Sequence, residues 1–458
     1  MPVAARARSA RMEGAVDDDA WRAAAPPVPT DAADLPPEDY EQSPAFFADN
    51  QRHVFAVTFA GKPIYSRHGE EHKLASFMGM IAGLVCQFDD MGDGLRCIEA
   101  GGCKIVFTAK DPVYLVAVMR GAPLQCVSRQ LDFVYLQLVS LLTSTRINVL
   151  NKNPNYDLRG MMGGTEHVMD RLCDEMELSP CFLLQGFACV ALDQATRSAV
   201  TELMLAARHE AMLFGMLLSG SRVMAMCQGR KSPIDPRDML LLINFVQAHA
   251  QAFRSSENWT PVCLPIFAEQ GFLYAYVHFV LPDLCYVFVS NQNDVFFEFS
   301  AAQKALAASL QAPKGGGLMA KMAAAVERPA YPVSALGYPD LWHFMFKMHS
   351  LGQLTYPAFG DMYEAEPSRR RLFRAYQRIH AQVHAGASGE RRDNLACFFG
   401  GAHESILVWL NADFEFFATF SPLVEKTAAM SICTYLVNTW LHKERGKLFL
   451  IGRSLGEW

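Results

Sequence analysis

Apolar runs of strand length recur along the chain, and three times they lead into an amphipathic helical stretch. In the first third the order is "LRCIEAG", "CKIVFTAKD", "VYLVAVM", then a helix expected over about 123–143. Its Val127, Leu131, Val134, Leu138 and Leu141 alternate i+4 and i+3 steps, which lines one helical face. In the middle the order is "GFLYAYVHFV", "LCYVFVS", "DVFFEFS", then "AAQKALAASL". Near the end it is "LACFFGG", "ESILVWLN", "DFEFFATFS", then "PLVEKTAAMSICTYLVNTWL". Ser300 and Ser421 are expected as N-caps, with Pro422 at the first helical position.

Each set is preceded by a further strand region and a helix. Residues 73–88 place Leu74, Phe77, Met78, Ile81, Leu84, Val85 and Phe88 on one face, with Glu70 and Glu71 favourably near the start. "RVMAMCQG" precedes "SPIDPRDMLLLINFVQAHAQAF", and "LWHFMFKMHSLGQLTYPAF" precedes "PSRRRLFRAYQRIHAQVH". The repeating unit is strand, strand, helix, three strands, helix. Short links between consecutive strands imply antiparallel pairing, and helices must cover the sheet. This is an α/β (α+β) chain of three similar units, each with five strands. The longest apolar window, residues 271–290, carries Pro282-Asp283 near its middle, so it predicts two strands and a turn rather than a membrane span. "QAPKGGGLMAKMAAAVERPAYP", 311–332, reads as a linker.

Charge changes the picture at one end. Residues 1–50 carry four Arg and ten Asp/Glu, while the remaining 37 basic and 37 acidic residues cancel. With seven prolines and few large apolar residues, that segment is expected to be a disordered acidic tail. The neutral remainder argues against bulk nucleic-acid binding. The twelve cysteines contain no CxxC and sit mostly in apolar runs, a pattern of small buried hydrophobes in a reduced, cytosolic protein.

Candidate chemistry is sparse. The Gly-Lys of "FAGKPIYSRHGEE" lacks the upstream Gly and the Ser/Thr of a phosphate loop, and Lys62 is followed by Pro63, so a hairpin turn is predicted. "GRSLG", 452–456, matches GxSxG around Ser454, but no helix, acid or His follows. "HAQVH" sets His380 and His384 one helical turn apart; Ala381 stands where a zincin needs Glu, and solvent-facing histidines are expected. No catalytic or metal constellation emerges, and no cofactor is expected. "LNKNPNYDLRGMMGGTEH", 150–167, is a long polar, Gly-rich connector of the kind often used for binding. "PSRRRLFRAYQR", 367–378, is a basic cluster with Arg369, Arg370, Arg371 and Arg374, which reads either as a solvated helix face or as a surface for anionic lipid or an acidic partner.

Several long motifs resemble one family. "VFAVTFAGKPIYSRHGEE", "LASFMGMIAGLV", "GCKIVFTAKDPVYLVAV", "LDFVYLQLVSLLTSTRINVL", "NYDLRGMMGGTEHVMDRL", "DPRDMLLLINFV" and "ENWTPVCLPIFAEQGFLYAYV" are similar to the SAND-type vacuolar fusion proteins, the monensin-sensitivity family. The resemblance runs from about residue 52 to the end of the sequence and is looser in the third unit. It implies three longin domains, each a five-stranded antiparallel sheet flanked by helices. The expected division is a tail 1–50, longin domains 51–180, 181–312 and 333–458, and a linker 313–332. It further implies an obligate second tri-longin subunit of the calcium-caffeine-zinc-sensitivity family, and joint guanine nucleotide exchange on the late-endosomal Rab GTPase, Rab seven. It implies recruitment from the cytoplasm to late endosome and vacuole or lysosome membranes by an early-endosomal Rab and phosphoinositides, with roles in endosome maturation and autophagosome fusion. A third accessory subunit is compatible with it. On this reading Lys62, Tyr65, Ser66, Arg67, His68, Glu70 and Lys73, with Asn155, Tyr156, Asp157 and Arg159 of the connector, are candidates for the GTPase or partner surface. A longin adaptor or tether without exchange activity is the alternative.

Overall fold

The computed structural model describes residues 52–69, 73–100, 103–312, 317–328, 330–385 and 394–458. The acidic tail, Glu70, Glu71 and the Gly-rich start of the expected linker lie outside them. The described residues fall into two units, one of Arg52–Glu177 with Phe373–Val383 and one of Leu178–Leu372 with His384–Trp458.

The first unit holds one sheet. Its strands are β1 (Arg52–Thr58), β2 (Pro63–Ser66), β3 (Cys97–Ala100), β4 (Cys103–Lys110) and β5 (Val113–Met119), in the order β2-β1-β5-β4-β3, all antiparallel. β5 is central and buried along its whole length, which is why it reads as a continuous apolar run. Helix α1 (Ala75–Asp90) places Met78, Ile81, Ala82 and Val85 on a core shared with Phe55, Val57 and Val116. Helix α2 (Leu124–Leu142) buries Val127, Leu131, Val134 and Leu138 as their spacing requires. α3 (Glu166–Leu178) follows the connector.

The second unit holds two sheets. β6 (Phe187–Ala188) comes first in sequence, followed by helix α4 (Gln194–Ala206). Strands β7 (Met212–Ser219), β8 (Arg222–Gln228), β9 (Asn258–Val262), β10 (Leu273–Leu281) and β11 (Leu284–Ser290) form an antiparallel set in the order β8-β7-β11-β10-β9, with α5 (Pro236–Ala248) between β8 and β9. The window 271–290 is thus the β10–β11 hairpin. Helix α6 is Phe296–Gln311 and α7 is Leu318–Glu327. β12 (Leu341–Met348), β13 (Gln353–Thr355), β14 (Leu395–Phe399), β15 (Ser405–Leu410) and β16 (Phe414–Phe420) form the other antiparallel set, β14-β15-β16-β12-β13. Helices α8 (Glu366–His384), α9 (Lys426–Tyr435) and α10 (Leu441–Leu448) complete the elements used below, with β17 (Leu455–Glu457) last.

Three expectations are corrected. "DVFFEFS" is not a strand. Val295, Phe299, Gln303, Leu306 and Leu310 are buried at i+4 and i+3 steps, so α6 begins at Phe296 and leaves Phe297 79% exposed; the third strand is β9, further upstream. Ser300 therefore lies inside α6. Ser421 does not cap α9, because its Oγ accepts Leu423 N (3.3 Å) in a turn and the helix starts at Lys426. Within the expected linker, α7 buries Leu318 and Met322 in the core of the first of these two sheets.

Each sheet of this unit also gains a sixth strand, and each comes from the other domain's side of the sequence. β6 adds parallel to β13, and β17 adds parallel to β8. Arg197 of α4 fixes the same region. It is fully buried and donates all five N–H groups to carbonyls: Nε to Met224 O (3.1 Å), Nη1 to Gly446 O and Phe449 O (3.0 Å each), Nη2 to Lys447 O (3.0 Å) and Val190 O. Gly446 and Lys447 belong to the last turn of α10, whose carbonyls have no intrahelical partner and carry the negative end of the dipole. Gln353 adds to the joint, its Oε1 accepting Leu450 N at 2.8 Å.

Candidate functional site

The candidate surface lies in the first unit and starts at the β1–β2 turn. Thr58 N donates to Lys62 O (2.8 Å), Lys62 N to Thr58 Oγ1 (3.0 Å) and Gly61 N to Thr58 O (2.8 Å). Gly61 has φ +79°, and a Cβ there would stand 3.0 Å from Gly79 Cα of α1, so glycine both makes the turn and seats it on the helix. The stretch is the predicted hairpin. From its tip the Lys62 ammonium donates to Asn155 O at 2.6 Å. This draws the hairpin and the polar connector, two separate groups in the sequence, onto one exposed surface.

α3 holds that arrangement from the side. Asp170, Asp174 and Glu177 stand at i, i+4 and i+7 and share a helix face. Tyr65 OH donates to Asp170 Oδ1 (2.6 Å), Arg67 Nη2 to Asp174 Oδ1 (2.5 Å), and Arg52 Nε lies 3.5 Å from Glu177 Oε1. Burial, then the nearby Cys173 thiol and Asp170, push the Tyr65 phenol far above its usual range, so it stays a donor. Burial also raises the Asp170 carboxyl. These three acids and Arg52 were not singled out by sequence; the acid spacing after "GGTEH" was the available signal, visible only with β2 as its counterpart.

The candidates separate by position. Tyr65 and Ser66 are buried, and Ser66 Oγ donates to His68 O (2.6 Å), so both shape the strand rather than face outward. Lys62, Lys73, Asn155, Tyr156, Asp157 and Arg159 are exposed, and Asp157 Oδ1 accepts Arg159 N at 3.0 Å. Arg67 is committed to Asp174, its side chain only 12% exposed. His68 packs edge-on against His53 (5.3 Å), and burial followed by the Arg67 charge lowers its pKa, which favours neutral imidazole. Beside the tip, Phe59 is 40% exposed and stacks on Tyr114 at 4.2 Å.

The arginines of α8 are engaged. In the second unit Arg370 pairs with Glu366 (2.7 Å), Arg371 with the buried Glu404 (3.3 Å), and Arg369 lies 5.9 Å from the Phe359 ring centroid. Arg374 belongs to the first unit and lies close enough to Arg52 to lower its pKa. His380, expected to face solvent, is buried with Nε2 3.1 Å from Arg129 Nη1. Ser454 is buried as well. Its Oγ donates to Ile451 O (2.7 Å) and accepts Ile451 N (2.9 Å), so it closes a turn and a strand follows. No single helix among the described residues is long and apolar enough to cross a membrane; one pair broken by 93° at Thr143 meets the length and composition alone.

The chain matches the models of the first, second and third longin domains of FUZ, MON1 and HPS1 over residues 52–172, 210–308 and 340–445. It is 34% identical over 417 residues to vacuolar fusion protein MON1 homolog A of Bos taurus, covering 90% of this chain and 74% of that protein. Protein SAND of Takifugu rubripes is 32% identical over 429 residues, covering 92% and 81%. The MON1 homolog of Oryza sativa subsp. japonica is 28% identical over 447 residues, covering 91% and 78%. With three consecutive longin domains and these relatives along nine-tenths of its length, the chain belongs to the MON1/SAND family of tri-longin vacuolar fusion proteins.

Proposed function

We propose that this chain is one subunit of a heteromeric guanine nucleotide exchange factor that activates the late-endosomal Rab GTPase, Rab seven, during endosome maturation and fusion with the vacuole or lysosome, including autophagosome fusion. Its partner is a second tri-longin subunit of the calcium-caffeine-zinc-sensitivity family. Recruitment to late endosome and vacuole membranes is peripheral, through an early-endosomal Rab and phosphoinositides, with room for an accessory subunit. The family supports the vacuolar role. The observation that carries the finer reading is the Lys62–Asn155 contact, which merges hairpin tip and connector into one exposed face.

Exchange demands no bond making. A small GTPase grips its nucleotide through its phosphate loop, lysine and magnesium. A factor that binds the empty GTPase better than the loaded one weakens nucleotide binding by the same ratio. A gain of ~10³ in release needs ~4 kcal/mol of differential contact. Lys62, Asn155, Tyr156 and Asp157 offer charge, amide and aromatic contacts of the kind that displace switch segments, while Tyr65, Arg67 and α3 hold them in place. The test is Lys62→Glu combined with Asp157→Lys in the co-purified pair. Reduced GDP release with an intact pair places the GTPase on this face; failure to co-purify places the partner there; no change in either removes the face from the account.

A further inference from the structure

β17 lies on β8 as an extended peptide lies on a receptor edge. Its register is Leu455↔Met226, Gly456↔Cys227 and Glu457↔Gln228, parallel. Trp458 N donates to Gln228 O (3.2 Å), and Arg230 N donates to Trp458 O (3.0 Å). Thr201 Oγ1 donates to Ser454 O at 3.3 Å. Gly456, Glu457 and Trp458 also meet seats of their own. A Cβ on Gly456 would stand 2.8 Å from Thr201 Cγ2 and 2.9 Å from Cys227 Cβ, too close for any side chain. Glu457 pairs with Arg230 at 3.2 Å. The Trp458 ring lies under the Arg208 guanidinium, 4.4 Å from its centroid.

Five antiparallel strands share a core with α4, α6 and α7, and Trp458 packs at its margin. β17 is three residues long, takes the outermost position, and joins the preceding domain through the single turn Gly452–Ser454. Main-chain bonds for affinity with side-chain seats for selectivity are the elements of strand-addition recognition.

We propose that the β8 edge, with Thr201, Arg208, Cys227 and Arg230, is a peptide-binding cleft filled here by the chain's own residues 454–458. Its ligand class is an extended segment with glycine two positions before tryptophan and an acidic residue between. Release of residues 454–458 opens the cleft to such a segment from another chain.

The probe is the fluorescein-labelled peptide Gly-Arg-Ser-Leu-Gly-Glu-Trp, read by anisotropy. The full chain with Gly456→Val is expected to bind it saturably, while the unaltered chain binds at least ~10-fold more weakly because its cleft is filled. A peptide with valine at its fifth position is expected not to bind the variant. Equal binding by both proteins, or by both peptides, overturns the proposal. Hydrogen exchange covers the case in which Gly456→Val disturbs the fold. Amides of residues 455–458 and Arg230 should lose protection while those of β7 and β11 keep it. Loss across all of them means that β17 is an integral strand and the proposal fails.

Discussion

Arg197 is the clearest case of a residue whose role comes from a distance. Its acceptors include Gly446, Lys447 and Phe449, some 250 positions away. Burial lowers its pKa, yet guanidinium keeps its charge, and only its planar fork supplies five donors. Arg197→Met is expected to cost about 4 kcal/mol, because several buried carbonyls lose their donor. Arg197→Lys, with three donors on a point charge, is expected to recover less than half; urea midpoints measure both. Tyr65→Phe is expected to cost about 1 kcal/mol through the Asp170 hydrogen bond while leaving the exposed face in place. Asp238 adds a pH effect. Its buried carboxylate accepts Ile266 N and Phe267 N, but burial dominates and raises its pKa to about 6. The folded state then holds this proton more tightly than the unfolded one. Stability from this group therefore falls as pH rises from about 4 to about 6 and is level above, by up to ~3 kcal/mol. Asp238→Asn is expected to flatten that slope relative to the parent in melts at pH 4.5 and pH 7. Neither the Arg197 nor the Asp238 role was legible in the sequence, since a lone Arg or Asp within an apolar helix names neither its burial nor its partners.

Elements were more legible, wherever a side-chain period ran long enough to identify one. α2 was readable from five apolar positions, and the β10–β11 hairpin from its Pro-Asp turn. "DVFFEFS" failed because a run of seven residues fits either period, and only the continuation through Leu306 and Leu310 decides for helix. β6 and β17 were invisible, because two- and three-residue strands owe their existence to the edge that receives them. Of the candidate surface, the hairpin and connector were readable as two groups; the Lys62–Asn155 contact that joins them and the α3 acids behind them were not. Lys62→Ala is expected to loosen the connector without unfolding the domain. Faster exchange of the amides of residues 153–157, with β1 and β5 unchanged, checks this.

At the scale of the whole molecule, three sheets of one antiparallel order repeat along the chain, and the repeat was visible in the hydrophobic pattern. Charge was visible too, but its use was not. The arginines of α8 form a run in sequence, and Arg370 and Arg371 pair with Glu366 and Glu404. The most direct measurement is release of fluorescent GDP from Rab seven, with this chain alone and with this chain co-purified with the proposed second tri-longin subunit. The account predicts little acceleration by the single chain and ~10³-fold faster release by the pair. A well-folded pair that leaves GDP release at its intrinsic rate would contradict the account and leave the longin domains to serve assembly or tethering alone.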